Sequence, residues 1–242
     1  EKHIFDKLSY KIKIIYSDYT NKKKILDNYK DAALFPSIDE VLSKKTSIGY
    51  VFDLQHEYFK KNFSREEVKI RRKRIKSLSC LNKILVNSSK TKKDLLSFYS
   101  QFKKDQISVI PFAPTNINLN KQEKFSSYKE LKFKNYFIVC NKFWKHKNHI
   151  VVLKAFKIYK KRGGQNNLLL TGEYKDPRSE KVINEIEKYI YQNKLSNFVE
   201  ISGRIKKNIQ LNLLGKSKAL IQPTLFEGGP GGGSVYDAIS LD

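Results

Sequence analysis

The sequence is short of several things at once. It has no methionine, two cysteines, one tryptophan and six prolines in 242 residues. It also lacks any apolar run near the ~18 residues of a membrane-spanning helix. Two cysteines cannot frame a disulfide scaffold. Cys80 and Cys140 lie in separate apolar stretches, CLNKILV and YFIVC, and are expected to be buried free thiols. Free thiols point to a reducing, cytoplasmic compartment. With 40% hydrophobic and 12% aromatic residues the chain can build a core, which excludes a disordered tail. Without a methionine, and starting at Glu1, it is expected to be a central piece of a longer protein. A lost targeting segment stays open.

Arginine is scarce too. The formal charge is +24, but only seven of the 48 basic residues are Arg. Bidentate recognition of phosphates and guanines favours the planar guanidinium fork, so an Arg-poor chain is a weak candidate for nucleic-acid reading. The charge is also even: residues 1–121 carry 26 basic and 13 acidic groups, and residues 122–242 carry 22 and 11. A basic non-catalytic module binding nucleic acid or anionic polymer is therefore the alternative reading, and no nucleic-acid partner is expected. One local cluster, Arg71-Arg72-Lys73-Arg74, lies in SREEVKIRRKRIKSL, where Ser64 and Glu67 fit a capping box. It reads as a solvated helix face or as peripheral docking on the anionic inner face of a membrane.

What the chain has is repetition of a type. Short β-branched or aromatic runs (11–17, 32–37, 47–54, 83–88, 108–112, 136–141, 167–172, 198–203 and 218–224) alternate with helix-compatible stretches at 64–79, 89–102, 148–162 and 178–193. Several runs are continuously apolar, as expected of strands covered on both faces. Alternating strand and helix predicts an α/β fold with parallel sheets. In the third helix Val152, Ala155, Phe156 and Tyr159 are expected on one face, with a stop at Gly163-Gly164. Residues 112–130 read as a linker or long loop, and neither flanking half is expected to be complete.

Three strand-to-helix turns carry the polar chemistry. In LIQPTLFEGGPGGGSVYDAI, five of the eleven glycines fall between residues 228 and 233. A strand, a glycine loop and a helix start, with Ser234 as N-cap, aim backbone N–H groups at an anion. No Walker or G-x-G-x-x-G register fits; Glu227 and Asp237 suit hydroxyls of a sugar or ribose, and a flexible hinge is the plainer alternative. After YFIVC come Asn141, Lys142, Phe143, Trp144, Lys145, His146, Lys147, Asn148 and His149, well placed to meet a phosphate. A zinc pair in HKNH lacks a further ligand set, and the tryptophan reads as packing. At the end of the third run come Asp53, Gln55, His56 and Glu57, where His56 is either a general base or a structural histidine.

Together, YVFDLQHEYF (50–59), ILVNSSKTKKDLLSFY (84–99), CNKFWKHKNHIVVLKAF (140–156) and the glycine stretch (220–239), with TGEYKDPRS and VEISGRI between, resemble the retaining glycosyltransferases of family 4. The resemblance runs from about residue 30 to the end. It implies a GT-B fold: an acceptor-side Rossmann-like domain over 1–115, a linker at 116–130 and a donor-binding domain over 131–242, truncated at its C-terminus. It implies a nucleoside diphosphate sugar as donor, a glycan or lipid-linked acceptor in cell-surface polysaccharide synthesis, and no metal or other cofactor. Lys147 would neutralise the diphosphate, Glu227 would contact the sugar, and His56 would face it from the first domain. Asn141 and Lys142, Gly228, Gly229, Gly231, Gly232, Gly233 and Ser234 would hold the donor. Arg204 and Ile205 would lie near the base, and Asp237 at the ribose. Three positions depart from the family pattern: Asp237 comes two residues later than the usual second acid, Lys142 stands in for an Arg, and Phe52 replaces a His. A non-catalytic relative is the third reading, and the fragment alone is expected to be inactive.

Overall fold

The computed structural model describes residues 34–37, 47–114, 134–174, 179–229 and 231–241, with side chains described from residue 47 onward. The expected strand at 11–17 and the linker at 116–130 lie outside the described residues. Two four-stranded parallel sheets form the frame. The first contains β1 (Leu34–Ser37), β2 (Ser47–Val51), β3 (Lys83–Val86) and β4 (Ile107–Val109) in that order. The second contains β5 (Tyr136–Cys140), β6 (Asn167–Thr171), β7 (Val199–Gly203) and β8 (Ala219–Leu220), in the order β7-β6-β5-β8. All six strand pairings are parallel. The α/β expectation is met.

The first sheet's crossovers are α1 (Gln55–Tyr58), α2 (Arg65–Ser77) and α3 (Ser89–Phe98). Helix α2 starts where its capping box predicts: Glu67 N–H donates to Ser64 Oγ and Ser64 N–H to Glu67 Oε2, both at 3.1 Å. Leu54, Leu78, Leu81, Ile84, Val86, Leu95 and Ile107 close this half's core. The second sheet carries α4 (His149–Lys161), α5 (Glu180–Gln192), α6 (Lys207–Gly215) and α7 (Gly233–Ile239). Helix α4 ends at Gly163, whose φ of +83° is the left-handed turn glycine adopts without strain. In α5, Ile183, Ile186 and Ile190 recur at helical spacing and are buried together.

The unbroken apolar runs of β5 and β6 are explained by cover on both faces. Val139, Leu168 and Leu170 pack with Val152, Phe156 and Ile186 of α4 and α5. Ile138, Cys140 and Leu169 pack with Leu213 and Leu214 of α6, and Ala238 of α7 joins them. Each fully buried Leu or Ile stabilises the sheet by roughly 1.5–3 kcal/mol, so a polar residue at Leu169 would open this core. Among the described residues no helix is long and apolar enough to cross a membrane.

Some expectations need correcting. Cys140 is buried, and its burial pushes the thiol up to about 12, but Cys80 is exposed at the end of a surface turn. Ala155 is exposed, and Leu153 takes its place on the buried face of α4. Helix α6 was not anticipated. Its N-cap, Lys206, makes no side-chain cap bond, and KNIQLNLLG has polar residues between its leucines. The basic cluster on α2 is not a plain solvated face: Arg72 donates to both oxygens of Glu57 at 2.8 and 2.5 Å, and Arg71 lies 4.8 Å over the Phe63 ring.

Candidate functional site

The second sheet reverses its strand order at β5. From there the chain winds outward to β6 and β7, then returns to place β8 on the other side of β5. Crevices outside the C-terminal ends of strands at such a reversal are where α/β sheets bind ligands. The turns leaving β5 and β8 are the two polar segments singled out in the sequence. Leu225 N–H donates to His146 O at 2.8 Å, which stitches one to the other.

The centre of this crevice is an ion pair between Lys147 Nζ and Glu227 Oε1. Their side chains are 14% and 17% exposed, so the pair is lined by protein yet open on one side. Lys147 closes a 3-10 turn at 145–147, and Asn148 follows in the left-handed conformation with φ 56°. Behind the pair, Gln222 accepts from Asn141 Nδ2 at 2.5 Å and donates to Gly231 O, which fixes the glycine loop to the β5 turn. A Cβ on Gly232 would meet Glu227 Oε2 at 3.4 Å, and its φ of +74° disfavours any side chain. Glycine is favoured there by the backbone, since the Glu227 contact would be an ordinary van der Waals one.

A pocket of about 360 Å³ opens at the ends of β5 and β6, where Asn141, Lys142, Arg204 and Ile205 line it with Gly172, Glu173 and Gln210. Arg204 is 80% exposed and sits 3.7 Å from Glu173. A Cβ on Gly172 would lie 1.9 Å from Asn141 O, so bare backbone is needed where β6 ends against β5. Lys142 Nζ lies 4.6 Å over the Trp144 ring. Gly233 opens α7 and Ser234 lies within it; Gly232, not Ser234, is the N-cap. Ser234 therefore supplies no capping oxygen, although the first turn still leaves N–H groups without intrahelical acceptors.

Asp237 stands apart. It is 2% exposed and paired with Lys207 Nζ of α6, so the ribose role expected of it finds no open carboxylate here. His146 and His149 are both held down to about 4, chiefly by burial and then by the charge of Lys147. They are neutral near pH 7. His149 stacks on Phe143 at 4.6 Å, a packing role.

The first half brings its own turn to the same place. His56 is 1% exposed, and burial lowers its pKa despite the Glu57 carboxylate beside it. Tyr99 donates its hydroxyl proton to Glu57 Oε1 at 2.8 Å, so its oxygen accepts from His56 Nε2 at 3.1 Å. That assigns the proton to Nε2 and leaves Nδ1 a bare acceptor without a partner among the described residues. His56 lines a cavity of about 670 Å³ with Tyr50, Phe52, Asp53, Arg71 and Arg74, and Trp144 of the second half completes its wall. Trp144 is thus a cavity residue, contrary to the packing expectation, and Arg71 and Arg74 line the same cavity.

The halves also meet at the glycine loop. Ser88 Oγ and Thr91 Oγ1 donate to Gly228 O, and a Cβ on Gly228 would lie 2.3 Å from Phe52 O. A Cβ on Gly229 would lie 3.8–3.9 Å from Ser88 and Asn87. Phe226 packs its ring 5.3 Å from that of Tyr58 and 6.0 Å from that of Phe59. All three turns therefore converge on one crevice. Gln222, Glu173 and Thr91 were not anticipated; the only sequence signal for Thr91 is its place three residues after an N-cap serine.

The sequence model of the family described as glycosyl transferases group 1 matches residues 120–240. This chain belongs to that family. No curated protein matches the chain. Among solved structures, a glycosyltransferase from Rickettsia africae ESF-5 is similar with TM-score 0.57 and 18% identity, covering 94% of this chain and 62% of its own. Anabaena HepE in complex with UDP is similar with TM-score 0.56 and 13% identity, over 81% of this chain and 51% of that one. Sucrose-phosphate synthase from Thermosynechococcus elongatus gives TM-score 0.59 and 16% identity, over 81% and 48%. At these identities the likeness shows the fold, which is of the GT-B type. The chain spans about half to three fifths of the structures it matches.

Proposed function

We propose that this group 1 chain carries the donor site, and part of the acceptor wall, of a glycosyltransferase using a nucleoside diphosphate sugar. The observation that carries this is the Lys147–Glu227 pair, set at the sheet's reversal point and faced by the first half. In the reaction the bond from the anomeric carbon to the diphosphate breaks and a bond to an acceptor hydroxyl oxygen forms. The hydroxyl proton leaves with the diphosphate oxygen, on the same face, so the configuration is retained. Lys147 balances the charge that develops on the departing diphosphate, a preorganised electrostatic effect of the kind that often dominates. Glu227 holds hydroxyls of the transferred sugar. Backbone N–H groups around Gly231 to Ser234 take the phosphates, and Arg204 and Ile205 flank the base.

The 670 Å³ cavity is the acceptor space in this reading. Aromatic walls suit the faces of sugar rings, and neutral His56, its Nδ1 buried without a partner among the described residues, stands in that wall. A glycan or lipid-linked acceptor in surface polysaccharide synthesis fits such a space. No metal is invoked, since Lys147 supplies the compensating charge. The presence of UDP and UDP-glucose in complexes of Anabaena HepE supports a uridine or similar nucleotide here.

Calorimetry on the full-length protein tests this. UDP or GDP should bind, and Lys147→Ala should weaken that binding about tenfold or more, the loss of one charge-assisted contact of some 1.4 kcal/mol. If neither nucleotide binds the intact protein, the proposal is overturned.

A further inference from the structure

The first half grips the carbonyl of one residue of the donor loop, and the gripping group is built to let go. Gly228 O accepts from both Ser88 Oγ and Thr91 Oγ1. All three residues meet in a buried contact spanning 140 and 137 positions of sequence. Ser88 Oγ also lies 3.0 Å from Thr91 Oγ1, and Thr91 Oγ1 lies 2.9 Å from Asn87 Oδ1. Each hydroxyl has a single proton. With the loop in place, those two protons serve Gly228 O at the expense of one or both alternatives. With the loop withdrawn, Ser88 donates to Thr91 and Thr91 donates to Asn87 Oδ1, and no proton is stranded.

A buried polar group that is satisfied in only one state would lock the loop, because leaving it unpaired is costly. One satisfied in both states makes a reversible catch. Position 228 is shaped for it: a Cβ there would meet Phe52 O at 2.3 Å, Asp53 Cβ at 2.8 Å and Asn87 Nδ2 at 3.2 Å. The adjacent residue is Glu227, whose carboxylate pairs with Lys147.

We infer that Asn87, Ser88 and Thr91 form a hydroxyl relay that seats the Gly228 carbonyl, and that Ser88 and Thr91 are positioning residues for Glu227 in turnover. The second clause rests on the glycosyl-transfer reading; the first does not. Nucleotide affinity, set in the second half, is insensitive to the relay, whereas the chemical step is not.

Thr91→Val is the informative variant, since it removes the hydroxyl at constant shape and leaves Thr91 N–H capped by Ser88 Oγ at 3.0 Å. Ser88→Ala would also remove the cap of α3 and so mixes two effects. In the full-length protein, hydrogen exchange of amides 225–229 should quicken about fivefold or more in Thr91→Val and in Gly228→Ala. Thr91→Ser should exchange as the unaltered protein does. UDP-glucose hydrolysis, or GDP-glucose hydrolysis if GDP is the nucleotide bound, should lose about tenfold in kcat in Thr91→Val with UDP or GDP affinity unchanged. Unchanged exchange in Thr91→Val overturns the relay, as does a Thr91→Ser variant as impaired as Thr91→Val. If Thr91→Val does not fold, Thr91→Ala read against Thr91→Ser decides by the same exchange measurement. Exchange needs no ligand, so a protein that binds neither nucleotide would sink the functional reading and leave the relay standing on its own measurement.

Discussion

Two lysine–carboxylate pairs of the second half have the same chemistry in different settings. Lys147 and Glu227 are 14% and 17% exposed, drawn from two different turns at the open edge of the sheet. In the other pair, Asp237 is 2% exposed while Lys207 is 42% exposed, and they join two packed helices, α6 and α7. In the first, both members are half-covered and both could exchange their partner for a ligand. In the second, the acid is sealed and the base reaches in from solvent. Spacing in sequence already sets Asp237 apart from the usual second acid, and burial separates it further from Glu227.

The sharpest way to break that contrast is to neutralise each acid at constant shape. Glu227→Gln should lower glycosyl turnover by about 10²–10³, the usual cost of removing one preorganised polar group at a developing charge. Its melting temperature should barely move, because the open side admits water to the uncompensated lysine. Asp237→Asn should do the reverse. Removing the charge from a sealed carboxylate while Lys207 remains costs about 1–3 kcal/mol. For a chain of this size that is a few degrees in Tm, at roughly 2–4 °C per kcal/mol. Nucleotide affinity should stay within about threefold of the unaltered value. Calorimetric melting and nucleotide titration on the same samples check both. A tenfold affinity loss in Asp237→Asn at constant Tm would restore the ribose role and end the contrast.

Much of this was legible in the residues, and the failures have physical causes. Parallel sheets followed from runs such as YFIVC and NLLLT, since only strands covered on both faces can be apolar at consecutive positions. The β5 turn and the glycine loop were legible because lysines and glycines concentrate there for local reasons. Sealing of Asp237 was not legible: it depends on α6, a helix whose sequence has no cap and whose partner lies 30 residues away. The same holds for Trp144, which reads as a packing residue until the cavity formed with His56 and Arg71 is seen. Phe52, 49% exposed and edge-on to Tyr50 at 4.3 Å, is another surface the sequence could register only as a departure from a motif.

The smallest expected effect sharpens the contrast through its neighbours. His146 and His149 are held at about 4, with Lys147 as the second cause after burial in each case. Lys207 is not among the causes that hold either histidine down. Lys147→Met should therefore raise both values, by less than about one unit, because the charge it removes acts across a partly wet crevice. Lys207→Met should leave both unmoved. Since burial is the larger cause, both histidines should still titrate below the ordinary 6.5 in the Lys147 variant. A folded-state value below the unfolded one means that the unfolded chain binds the proton more tightly. The stability these histidines contribute is complete above about pH 6.5 and is lost as pH falls toward about 4. The Lys147 variant should thus show a slightly shallower loss of stability between those two values, and the Lys207 variant an unchanged one. Imidazole proton titrations by NMR, with urea melts at pH 7 and pH 4.5, measure the two consequences separately. Histidine signals that move equally in both variants would mean that the two pairs share one electrostatic environment, and the distinction between an open pair and a sealed one would fail.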